Sequence, residues 1–90
     1  QKNQRLAVER SSPAIIELAG LLNDYRPGEP MDLMEWPALS IAFLKDRGLL
    51  AEYGLLAGTE WVRTPTTQDW QIRNAQRVRS WLHNRGIEPA

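Results

Sequence analysis

This 90-residue chain has no cysteine, a single histidine, a single phenylalanine and no net formal charge at neutral pH. Without cysteine there is neither a disulfide framework nor a thiolate metal site, which fits a reducing compartment. One histidine leaves no His-based metal set, no Ser-His-acid arrangement stands out, and no glycine-rich phosphate loop is present. The apolar runs are only a few residues long, against roughly 20 needed to span a bilayer, and the first ten residues lack the apolar core of a signal peptide. These absences point to a non-catalytic, cytoplasmic protein with no cofactor and no metal.

What is present is an ordinary globular composition, 42% hydrophobic and 24% charged, in a chain long enough for one small core. The charges are segregated. Residues 1–10 balance to +2 and residues 63–90 to +3, while residues 11–62 carry −5. A polyanion would therefore meet the ends and avoid the middle.

Residues 1–11 are polar and read as a tail or the remnant of a preceding segment, onto which Leu6 and Val8 can pack; there is no initiating methionine. Residues 12–86 read as one domain and 87–90 as a second tail. Ser12 and Pro13 start a helix whose apolar positions Ile15, Leu18, Ala19 and Leu22 recur at helical spacing, and Pro27, Gly28 and Pro30 end it after about Tyr25. Asp32 and Glu35 have the form of a capping box, which predicts one helical turn up to Trp36. A third helix is expected from Pro37 to Arg47, apolar around most of its circumference and stopped by Gly48. Residues 49–53 and 60–64 then suit a hairpin, joined by the loop Gly54-Leu55-Leu56-Ala57-Gly58-Thr59. That loop is apolar enough to need a covering partner. Thr66 and Asp69 form a further capping box for a last helix reaching about Asn84, with Ala75, Val78 and Leu82 turned inward.

The expected fold is thus mainly α with one β-hairpin. Its order of elements, with Arg47-Gly48-Leu49-Leu50 closing the third helix and Arg63-Thr64-Pro65 closing the hairpin, resembles the winged-helix superfamily over about residues 12–65. The resemblance implies a three-helix core with a wing, here extended by a C-terminal helix, and DNA-binding regulation as the family activity. The third helix departs from the family pattern by offering only Ser40 and Lys45 to a major groove. DNA contact is expected instead from Arg63 on the wing and Arg73, Arg77, Arg79 and Arg85 on the last helix, with Lys45, as salt-sensitive phosphate binding. The plain reading of the same arginines is a solvated helix face paired to the acidic middle of the chain.

Four tryptophans are many for 90 residues. Trp36 and Trp61 suit core filling, and Trp70 is the one expected to stand out for a partner. His83 suits a solvated cation at a helix C-terminus. Two functions compete: a nucleic-acid-associated accessory module docking through wing and last helix, and a protein-interaction or dimerisation module that does not bind DNA, docking through Leu55, Leu56 and Trp70.

Overall fold

The computed structural model describes residues 7–88. Two helices flank a four-stranded antiparallel meander: α1 (Ser12–Leu22), β1 (Leu39–Lys45), β2 (Gly48–Leu56), β3 (Trp61–Arg63), β4 (Asp69–Gln71) and α2 (Ala75–His83). The expected mainly α architecture is therefore corrected: the chain has two helices and a sheet, with strand outweighing helix.

The largest change falls on residues 37–47, where Leu39–Lys45 form an edge strand in place of the expected third helix. Leu39, Ile41 and Phe43 are half-buried while Ser40, Ala42 and Leu44 are exposed, so the segment follows a period of two. Its apolar residues read equally well as an all-round apolar helix, and only pairing with β2 separates the two. Gly48 does not stop a helix; it opens β2 opposite Lys45 after the tight turn Asp46-Arg47, with Asp46 in the left-handed region at φ 57°.

The expected hairpin exists, but its first strand is longer, its second is shorter and its turn is tighter than anticipated. Gly54, Leu55 and Leu56 belong to β2 and face Arg63, Val62 and Trp61 on β3. Likewise Asp69 lies in β4, so no capping box forms with Thr66, and α2 begins only at Ala75. Asp32 and Glu35 cap no helix either, since residues 32–37 lie in an irregular segment.

Both helices cover one face of the sheet. Leu18, Leu21 and Leu22 of α1 meet Val78, Trp81 and Leu82 of α2 over Leu55, Val62 and Ile72, and every one of these side chains is buried. Burying each such side chain contributes about 1.5–3 kcal/mol. Trp81 also donates its indole N–H to the Ala14 carbonyl at 3.0 Å and carries the Arg85 guanidinium 3.8 Å above its ring, which ties the two helices together. Ile87, placed in a tail by the sequence, packs against this core. The expected N-terminal tail lies outside the described residues over 1–6, including Leu6; beyond it, Val8 is exposed.

Candidate interaction surface

The opposite face of the sheet is crossed by residues 31–38, which form a strap. Met31 exchanges backbone hydrogen bonds with Asp69 at the free edge of β4, at 2.8 and 2.9 Å. From there the chain follows one row of the sheet, in which register aligns Asp69, Arg63, Gly54 and Ser40 on successive strands. The Leu33 amide donates to the Asp69 carboxylate at 2.8 Å, and the Glu35 carbonyl accepts from Arg63 at 2.9 Å. Pro37 then lies on Gly54, where an added Cβ would stand 2.6 Å from the proline Cγ. The Ala38 amide closes the crossing with a 2.8 Å bond to the Leu55 carbonyl. Alternate strap residues 33, 35 and 37 thus step across β4, β3 and β2.

The latch at the centre is an ion pair. Asp69 has no exposed surface and accepts from both Nε and Nη2 of Arg63, at 2.7 and 2.9 Å. Such a bidentate pair is short, directional and strong in a water-poor setting. Burial pushes the Asp69 carboxyl up, but the Arg63 and Leu33 hydrogen bonds and the Arg63 charge outweigh it and hold it below its ordinary value. Its hydrogen bond to Asp69 raises Arg63 in turn. Arg63 is therefore spent on the fold, and its expected role on a phosphate has no free guanidinium edge behind it.

The other arginines expected on phosphate are also engaged, and only Arg77 and Arg79 lie on α2, with Arg73 before it and Arg85 after it. Arg73 pairs with Asp24 at 3.0 Å and donates to the Tyr25 carbonyl; Arg77 reaches Glu17 at 3.5 Å; Arg85 pairs with Glu9 at 2.6 Å. Arg79 donates to the Thr59 hydroxyl at 3.4 Å. Hydrogen bonds from the Ser11 amide and from Arg85 lower Glu9. Of the proposed phosphate contacts only Lys45, exposed at the end of β1, has no partner among the described residues. Arg73 and Arg77 thus pair with carboxylates of the acidic middle, whereas Arg85 and Glu9 join the two ends and Arg63 and Asp69 pair within the C-terminal segment.

Leu55 and Leu56 are fully buried, so the exposed apolar loop expected at residues 54–59 does not exist. Trp70 is half-buried and stacks on Tyr25 with ring centroids 5.0 Å apart. Trp36, expected in the core, is instead 93% exposed. The exposed apolar surface lies elsewhere than the sequence indicated: among the described residues, six of the eight exposed large hydrophobic side chains fall between residues 31 and 50. Met31, Met34 and Trp36 stand on the strap, and Leu44, Leu49 and Leu50 on the β1–β2 hairpin. Between strap and hairpin runs an open groove of about 430 Å³, lined by Pro37, Ser40, Leu50, Gly54 and Pro65 among others. It adjoins a second depression that holds Met34 and Trp36, the two sharing Arg63 and Thr67. The signal available in the sequence was Met34-Glu35-Trp36-Pro37, an apolar pair in a stretch whose prolines prevent a regular helix.

Among the described residues no three His, Cys, Asp or Glu side chains come together, and no helix is long and apolar enough to cross a membrane. No family model matches the chain, and neither a curated protein nor a solved structure is significantly similar to it.

Proposed function

We propose that this chain is a non-catalytic protein-interaction module that docks a protein partner on its strap and β1–β2 hairpin. The observation that carries this reading is Trp36, an aromatic side chain 93% exposed on a segment latched in place by a buried ion pair. Interface hot spots are enriched in tryptophan, and exposed apolar side chains gathered on one region mark docking surfaces. A pre-positioned anchor also loses less conformational entropy on binding than a mobile one. The nucleic-acid reading has less support, because four of the five arginines that would carry it are paired with carboxylates of the same chain.

Two double variants separate the readings when the tagged chain is used to retain partners from an extract of its source cells. Met34→Ser with Trp36→Ser should lose the retained protein and keep the native melting temperature; Arg73→Glu with Arg77→Glu should keep it. Retention of nucleic acid that the arginine change removes and the Met34 and Trp36 change leaves intact would overturn the proposal.

A further inference from the structure

The two edges of the sheet are treated differently. At β4 the strand is three residues long, and the chain itself covers it, with Met31 paired to Asp69 and Tyr25 bridged to Ile72 beside it. At β1 the strand is seven residues long, and among the described residues nothing pairs with its outer side. Natural proteins usually blunt an open edge with charges, proline or a bulge within it. Leu39-Ser40-Ile41-Ala42-Phe43 contains neither charge nor proline, and the irregularity in register comes only after Phe43. The core side of this stretch is also incompletely covered, since Leu39, Ile41 and Phe43 are only half-buried against the core.

We infer that the occupant of this edge is a second copy of the same chain, added antiparallel about a two-fold axis at Ile41 so that the two sheets become one of eight strands. The inference rests on the reading of the chain as a protein-interaction module and names its partner. The sequence of the edge is chemically symmetric about that residue. Ile41 meets Ile41 of the second copy, Leu39 meets Phe43, and Ser40 meets Ala42, so that apolar side chains share one face and small ones the other. No like charges oppose one another over residues 39–43.

The same symmetry accounts for the exposed residues flanking the strand. Within one copy, Leu44 and Leu49 pair at the hairpin end of β1 and are exposed. Antiparallel addition brings the strap end of each copy beside the hairpin end of the other. Leu44 of each copy then stands opposite Ala38 at the start of β1 of the other. A five-residue ladder alone falls short of the roughly 800 Å² per partner usual for a stable interface. The exposed Leu44 and Leu49 at each end of the ladder supply further apolar area. Backbone pairing would give affinity and the flanking side chains specificity, as in other strand additions.

The test uses Ser40 and Ala42, whose side chains point away from the core and are exposed. The mass in solution of the unaltered chain should be twice its 10.3 kDa at micromolar concentration. The double variants S40K/A42K and S40E/A42E, each checked for native circular dichroism, should be monomeric, because four like charges would stand at the junction. Mixing the two in equal amounts should restore the doubled mass. A monomeric unaltered chain overturns the second-copy inference; if it still retains another protein through Met34 and Trp36, the interaction reading survives, and if it retains nothing, both fall. A dimer whose mass is unaffected in both charged variants places the two-fold contact elsewhere and overturns the edge pairing.

Discussion

Removal of the Asp69 carboxylate should unlatch the strap and cost a large share of the stability of the chain. Asp69→Ala leaves the Arg63 guanidinium without its counter-charge and the Leu33 amide without its acceptor, losing contacts of 2.7, 2.9 and 2.8 Å at a side chain with no exposed surface. Breaking a buried pair from one side costs about 3–5 kcal/mol. The Arg63 side chain keeps 23% of its surface in water, which places the expected loss near the lower end, about 3 kcal/mol. A domain of this size has about 5–13 kcal/mol in total, and each kcal/mol shifts the melting temperature by about 4–8 °C, so a drop of more than about 12 °C should follow. Asp69→Asn, which can still accept from Leu33, should fall between the two. Urea and thermal unfolding followed by circular dichroism measure both variants. A loss below about 1 kcal/mol for Asp69→Ala would refute the latch as a stabilising element.

Further expectations concern the same strap and the core beneath it. Because the Asp69 carboxyl is held below its ordinary value in the folded chain, its contribution is fully present above the unfolded value near pH 4 and is lost as the pH falls through the lowered folded one. The unfolding free energy measured from pH 5 to pH 2 should therefore fall less steeply in Asp69→Asn than in the unaltered chain. Gly54→Ala places a methyl group 2.6 Å from Pro37 and should cost about 1–3 kcal/mol in urea unfolding by lifting the strap, and it should weaken partner retention. Leu55→Asp puts a carboxylate in the core, so circular dichroism should report loss of the fold, whereas a surface loop at this position would leave the fold intact.

The parts of the fold that were legible in the sequence are those set by local rules. Pro13 and the spacing of Leu18 and Leu22 indicated α1, and Val78 and Leu82 indicated the inward stripe of α2. The β2–β3 pairing was also legible, although its turn was misplaced. A left-handed backbone at Ala57 and Gly58 allows a tighter turn than the expected loop and draws Leu55 and Leu56 into the sheet. Residues 37–47 were misread because a short apolar run fits a buried helix and a strand alike, and the choice depends on β2. The ion pairs of Arg73 and Arg77 were foreseen only in general terms, as pairing with the acidic middle, and those of Arg63 with Asp69 and Arg85 with Glu9 lie outside that scheme. Their individual partners are set by tertiary geometry; Arg73 and Asp24, for example, stand 49 residues apart. The exposure of Trp36 depends on the strap, whose path becomes visible only once Asp69, Arg63 and Gly54 are aligned in one row.

Backbone amide exchange along β1, measured at dilute and at concentrated chain, tests most directly whether the open edge receives a second copy. Amides on the outer side of residues 39–43 should exchange freely when dilute and become protected as concentration rises, in step with the doubling of mass. Rapid exchange of those amides at every concentration, with the mass unchanged at 10.3 kDa, would contradict the account.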